Sequence, residues 1–253
     1  MQPIQGLALS IAGFDPSGGA GVLADIKTFE QIGIYGCALI TCITYQNDVK
    51  FQGARWLGMD EIEKQFTPLA ERFTFEFIKI GLIQDIDILK GIVGMLKSNN
   101  PKTKIIWDPV LKTSSGALLH ADGFSQDINE FFSNIYLVTP NTEEAEIIGM
   151  DRLKSYTNVL LKGGHGTTGT SEDILFTDGL EYRFAAPRLP GMGKHGSGCV
   201  LSSAVTGFLA LGHPLEDACQ RAKDYTYQFL SSTDGLLGHH YAIKTQDEYP
   251  IAY

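Results

Sequence analysis

The stretch GMGKHGSGCVLSSAVTGFLALG, residues 191–212, sets glycines and a cysteine directly before an apolar run that reads as a helix. Glycines at a helix start leave backbone N–H groups free to converge on an anion, and the helix dipole adds to their pull. Gly196, Ser197 and Gly198 are the candidate anion-binding positions. A cysteine in that first turn, Cys199, is expected to have its thiolate stabilised. A thiolate can take a proton from a hydroxyl. The plainer reading of the same residues is a glycine turn followed by a core cysteine.

Other segments carry residues of similar potential. GFDPSGGAG, residues 13–21, offers close backbone approach to a ligand. Its glycine spacing is not that of a dinucleotide-binding fingerprint, and the chain contains no GxxxxGK[ST] phosphate loop. In TPNTEEAEIIG, Asn141 and Glu144 stand at i and i+3 in a first helical turn, on one face. They could hold a hydrated Mg²⁺ through its waters, or they could form a capping box with Asn141 as N-cap. Asp108 in WDPV is a second carboxylate at a strand end, or a turn aspartate before proline. Lys162 in KGGHG is a point charge suited to phosphate, or a solvated lysine. The pair His239–His240 lacks cysteine or carboxylate partners at metal-ligand spacing.

Short apolar runs alternating with amphipathic segments must position these residues. LALSIAG, CALITCIT, FEFIKIG, KIIWDP, IYLVTP and NVLLKGG read as strands. Helical periodicity appears in GVLADIKTFEQIG, in MDEIEKQFTPLAERF with Asp60 as N-cap, and in DIDILKGIVGMLKS, which stops at Asn100-Pro101. Strand–helix alternation with uninterrupted apolar strands predicts a mostly parallel sheet covered on both faces. DILFTDGLEYRFAA predicts an antiparallel hairpin about Asp178-Gly179. Two helices follow, over residues 199–211 and 215–231. Ligands of such sheets sit beyond the carboxyl ends of the strands, where all the polar segments above fall.

With 253 residues, 43% of them hydrophobic, the chain has enough apolar material for one large core. A net charge of −9 and no basic stripe argue against nucleic acid as a partner. Positive potential for an anion must then be made locally. Four scattered cysteines without CxxC spacing fit reduced thiols and a cytoplasmic setting. The N-terminal residues read as a first strand and not a signal peptide. No apolar run approaches membrane-spanning length.

In order, IAGFDPSGGAGVLADIKTF, YGCALITCITYQND, IKIGL, DPVL, TPNTEEA, LLKGGH and HGSGC resemble the motifs of the ribokinase-like superfamily. Within it the chain most resembles the hydroxymethylpyrimidine/phosphomethylpyrimidine kinase family. The resemblance implies a single three-layer α/β/α domain over residues 1–253, with a mostly parallel central sheet and an antiparallel hairpin extension. It implies ATP-dependent phosphorylation of a hydroxymethyl aminopyrimidine and of its monophosphate in thiamine biosynthesis, with Mg²⁺, by a homodimer. By position, Gln46 matches the glutamine that hydrogen-bonds the aminopyrimidine. Gly13, Ala20, Thr44, Leu82 and Asp25 fall on the substrate side, with Leu82 where methionine is usual. Thr44 stands where an apolar residue is usual, which predicts a more polar wall. Lys162, Asn141 and Asp108 fall on the nucleotide side, and Glu144 with Asp108 towards the metal. Gly196, Ser197 and Gly198 match the anion hole, and Cys199 the catalytic base. Where the family usually places a further helix, MDRLKSYTNVLLKGG is expected to supply only a short connector after Gly149. Pyridoxal kinase of the same superfamily is the alternative, and a non-catalytic binder of vitamin precursors the rival of another class.

Overall fold

The computed structural model describes residues 6–111, 129–163, 169–189 and 193–241. The parts of the polar segments at residues 112–116, 164–166 and 191–192 lie outside this range. Nine strands form one sheet in the order β3-β2-β1-β4-β5-β6-β7-β8-β9. Six of them run parallel: β1 (Leu7–Phe14), β2 (Tyr35–Gln46), β4 (Phe77–Ile80), β5 (Lys104–Trp107), β6 (Leu137–Val138) and β7 (Asn158–Leu161). β8 (Thr170–Thr177) and β9 (Leu180–Pro187) form the expected antiparallel hairpin. Asp178 and Gly179 both have positive φ, 50° and 75°, as a two-residue hairpin turn of this hand requires.

The opposite edge differs from the sequence reading. β3 (Phe51–Trp56) pairs antiparallel with β2, so the sheet has an antiparallel strand at both edges. Its turn is fixed by the Asn47 side chain, which accepts from the Val49 and Lys50 amides.

Alternating strand residues feed two layers of helix. Leu9, Ile11, Ile78, Ile80, Ile105 and Trp107 face α2 (Met59–Ala70) and α3 (Ile86–Asn99). Phe77, Ile106, Leu137 and Leu160 point the other way, to α6 (Ser197–Ala210) and α7 (Leu215–Leu230). α1 (Gly21–Ile32) packs on this second face too, through Ala24 and Phe29. The result is the expected α/β/α arrangement. α6 is buried along residues 200–209, and its Ser202, Ser203, Ala204, Thr206 and Gly207 are small enough to let it lie close to the sheet and to α1.

Two local expectations are corrected. α2 begins two residues early, with Gly58 and not Asp60 as N-cap, because Glu61 reaches back to accept from the Gly58 amide. After α4 (Thr142–Ile148), residues 150–156 are not a bare connector. They form a second short helix, α5 (Met150–Tyr156), after a turn at Gly149 with φ 100°. Leu153 anchors α5 in the core with no exposure, so one buried side chain suffices to hold seven residues helical.

Candidate active site

The carboxyl ends of the parallel strands surround a cavity of about 740 Å³. Gly13 and Ala20 reach it from the β1–α1 loop, and Thr44 and Gln46 from the end of β2. Leu82 follows β4, Asp108 follows β5, and Asn141 and Glu144 follow β6. Lys162 follows β7, and Gly196, Ser197, Gly198 and Cys199 open α6. Every site residue expected from the sequence lines this cavity except Asp25. That carboxylate is fully buried one turn inside α1, where Lys79, Ser10 and Ser203 bind it. Its helical position points it at the sheet, away from a ligand.

A second cavity, about 540 Å³, lies towards β8, β9 and α7. It includes Asp173, Ala186, Arg188, Tyr227 and a buried Lys223–Asp173 ion pair at 3.0 Å. The two cavities share Asn141, Lys162, Gly193, Lys194, Ser197 and Gly198. Two molecules, one in each cavity, would therefore meet at the glycine loop and at Lys162.

The loop before α6 is held from three directions. Asp15 accepts from Ser17 and Ala20 amides in its own loop and meets His195 Nε2 at 2.8 Å. Burial pushes the Asp15 carboxyl up, but the bonds from His195 and Ser17 outweigh it and hold the group below its ordinary value. His195 also donates its backbone amide to Leu236 O, and Lys194 Nζ bonds Thr233 and Gly235 carbonyls. Gly196 has φ 78°, and a Cβ there would overlap the Gly19 carbonyl oxygen. Gly196→Ala is thus expected to part the two loops, lowering stability by roughly 1–3 kcal/mol and turnover more than tenfold. Thermal unfolding and an activity assay on the same preparation check this.

Lys162 is the positive centre. Its backbone amide bonds Pro140 O, which sets it beside Asn141, and its Nζ lies 2.7 Å from Asp108 Oδ1 and 3.8 Å from Glu144 Oε2. Burial works against the Lys162 charge, yet Asp108 and Glu144 hold its pKa above the ordinary value. Burial likewise opposes the Asp108 charge, and Lys162 and Lys79 outweigh it, keeping the carboxyl low. Glu144 differs. Burial prevails over Lys162 there, and its carboxyl is raised. Gly198 stands against this cluster, since a Cβ on it would lie 3.4 Å from Lys162 Nζ.

Both readings of Asn141 and Glu144 hold together. Asn141 Oδ1 accepts from the Glu144 amide at 2.9 Å, and Glu144 Oε2 accepts from the Asn141 amide at 2.8 Å, a complete capping box. The same pair lines both the cavity and the lysine cluster. Among the described residues no three His, Cys, Asp or Glu side chains gather as a direct metal cage. Glu144 and Asp108 beside a shared lysine suit a hydrated Mg²⁺ carried in with phosphates and held through its waters.

Two further expectations change. Thr44 donates its hydroxyl to Phe14 O at 2.9 Å, and its methyl lies on the Gly13 side, so the wall is less polar than the residue type suggests. At Cys199 burial opposes the expected stabilisation of the thiolate. Burial dominates and pushes the thiol up to about 11, against the Lys79 charge. The sequence reading missed the Asp15–His195 bond, which joins residues 180 apart. HGSGC and FDPSGG each carried one half of it. His240 packs on Phe229 and near Tyr225, and burial lowers it to about 4, so it is an apolar-face histidine.

The family model for phosphomethylpyrimidine kinase matches residues 15–244. A hydroxymethylpyrimidine/phosphomethylpyrimidine kinase of Aquifex aeolicus is 36% identical over 246 residues, covering 91% of this chain and 96% of that protein. The crystal structure of a phosphomethylpyrimidine kinase from Clostridium difficile 630 superposes with a TM-score of 0.72 at 34% identity, covering 88% and 98% of the two chains. A pyridoxal kinase from Staphylococcus aureus in complex with ADP gives a TM-score of 0.79 at 25% identity, over 90% and 88%. On the match of nearly the whole chain and of seven motif segments converging on one cavity, the chain belongs to the phosphomethylpyrimidine kinase family.

Proposed function

We propose that the protein transfers the γ-phosphoryl group of ATP to the hydroxymethyl oxygen of 4-amino-5-hydroxymethyl-2-methylpyrimidine, and then a second one to the monophosphate formed. The observation that carries this reading is the meeting of two cavities at a glycine loop with Cys199 at its end. The acceptor occupies the larger cavity. Gln46, whose side-chain amide has no hydrogen-bond partner among the described residues, is placed to pair with the aminopyrimidine edge. Gly13, Leu82 and the Thr44 methyl give the ring an apolar wall. The nucleotide occupies the smaller cavity.

As the acceptor oxygen bonds to the γ-phosphorus, the bond to the ADP oxygen breaks and the hydroxyl proton passes to the Cys199 sulfur in its thiolate form. Backbone amides of residues 196–199 stabilise charge on the phosphoryl group in transit. Lys162 neutralises nucleotide phosphate charge, exchanging part of its interaction with Asp108 for that with the phosphates. Glu144, Asn141 and Asp108 would hold, through its waters, a Mg²⁺ bound with the nucleotide, which would supply further positive charge. Positioning and electrostatics are the main contributions to such a transfer.

The test is ADP release with the hydroxymethylpyrimidine, its monophosphate and pyridoxal in parallel. The first two are expected to turn over, and pyridoxal more slowly. Pyridoxal preferred over both would assign the cavity to that vitamin, and no ADP release with any of them would leave a binder. Gln46→Leu is expected to raise KM for the aminopyrimidine at least tenfold by leaving its polar edge unpaired, with kcat within about threefold.

A further inference from the structure

The floor beneath Cys199 is charged. α1 and α6 begin side by side at the cavity and meet at two successive levels. At the upper level Gly21 and Cys199 both line the cavity in the first turns of their helices. Four residues further along each helix, Ser203 Oγ donates to Asp25 Oδ1 at 2.6 Å. One turn separates the levels, about 6 Å. At the lower level Lys79 comes in from β4 and donates to both Asp25 oxygens, at 3.0 and 2.8 Å, while Ser10 Oγ bonds Oδ2 at 2.5 Å. Both charged side chains have no solvent exposure. A buried ion pair carries a desolvation cost that apolar packing of the same volume avoids. The shape of this site, four elements converging under a helix start, gives no reason for charge there. The sulfur one turn above does.

We propose that Lys79 is a positioning residue for the transfer: its ammonium, pinned by Asp25 beneath the first turn of α6, favours the charged form of Cys199. The proposal rests on Cys199 acting as base. The charged groups that face the sulfur are Lys79 on β4, Asp25 on α1, Asp108 after β5 and Lys162 after β7. Lys79 acts on the thiol in the favourable direction and more strongly than either carboxylate opposes it. Burial would lower the Lys79 pKa, but Asp25 first, then Cys199 and Asp108, hold it above its ordinary value, so the charge persists at neutral pH.

The test reads the thiol directly, by iodoacetamide labelling of the Cys199 peptide against pH, followed by mass spectrometry. Cys37, Cys42 and Cys219 are buried and serve as internal references. Asp25→Asn removes the group that chiefly holds the lysine charged, so labelling of Cys199 at pH 8 should fall at least threefold. Lys79→Met should lower it at least threefold. Lys79→Arg keeps the charge and should label within about twofold of the wild type, and an arginine variant that labels as poorly as the methionine one makes the pair a mere clip and overturns the proposal. If the single variants do not fold, the double variant Asp25→Asn/Lys79→Met is read. Labelling and kcat should both fall with KM kept, because the lysine outweighs the aspartate at the sulfur. A double variant that labels like the wild type, or that cannot fold, assigns the pair to architecture and overturns the proposal. Cys199→Ala with full turnover would remove the base reading alone. The difference in labelling between the methionine and arginine variants of Lys79 would then still show the field of Lys79 at the sulfur.

Discussion

Replacing Cys199 with alanine is expected to slow phosphorylation of the hydroxymethyl acceptor by about 10²–10⁴-fold, with KM little changed. The alcohol oxygen must lose its proton as its bond to phosphorus forms, and Cys199 is the group proposed above to take it. The second phosphorylation is a different case. A phosphate monoester ionises a second time near pH 6, so its attacking oxygen needs no base at pH 7.5. Turnover of the monophosphate should fall by less than about tenfold, a loss that reflects packing alone. Initial rates of ADP release with each acceptor, for wild type and variant, separate the two. Equal losses would mean that the thiol shapes the cavity and moves no proton. The pH dependence gives a second reading. With the thiol pushed up to about 11 by burial, the thiolate fraction grows about tenfold per unit below that value. The first step of the wild type should therefore quicken from pH 7 to 9, and that of the alanine variant should stay flat.

Lys162→Met should be the most damaging change to charge. It removes the cation shared by Asp108 and Glu144 and leaves two buried carboxylates facing each other. Breaking a buried pair in this way costs about 3–5 kcal/mol at neutral pH, and turnover should fall by at least 10²-fold through loss of phosphate stabilisation. The sign of the pH effect follows from Asp108. In the wild type its carboxyl is held low, so its stabilising contribution is present at neutral pH and is lost only as pH falls through that depressed value. Without Lys162 burial acts unopposed by its nearest cation, and both carboxyls rise above their unfolded values. A raised carboxyl destabilises where it is ionised and ceases to do so as it protonates. The variant's deficit should therefore be largest near pH 7.5 and shrink towards pH 5. Urea unfolding at the two pH values measures this, and an equal deficit at both would refute the shared-cation account.

Much of this arrangement was legible in the chain. Apolar runs ending in Gly, Asp, Asn or Lys marked the strand ends, and a parallel sheet brings such ends to one side, so Gly13, Gln46, Asp108, Asn141 and Lys162 could be gathered before any coordinates. The turn at Asp178-Gly179 declared its hairpin because few residue pairs tolerate two positive φ values. What escaped was set by tertiary contact. β3 is short and half-exposed, and its pairing with β2 is what makes it a strand. α5 has too few residues to be helical alone and forms because Leu153 is buried. Asp25 stood on the substrate side by resemblance alone, and its partner Lys79 lies 54 residues away. Cys199 looked activated because a helix start and glycines were visible in the sequence, whereas the burial that outweighs them was not.

The close approach of Gly196 to Gly19 and Ala20 has a consequence for how such a protein can diversify. Two stretches of main chain touch there with no space for a side chain on Gly196. Neither can acquire bulk or length unless the other retreats in the same step, so this seam resists stepwise change. The Thr44, Leu82 and Leu236 walls carry no such restriction, since each presents a side chain to open cavity. Variation in acceptor choice is therefore open at the walls, one residue at a time, while the place where the phosphoryl group crosses stays fixed.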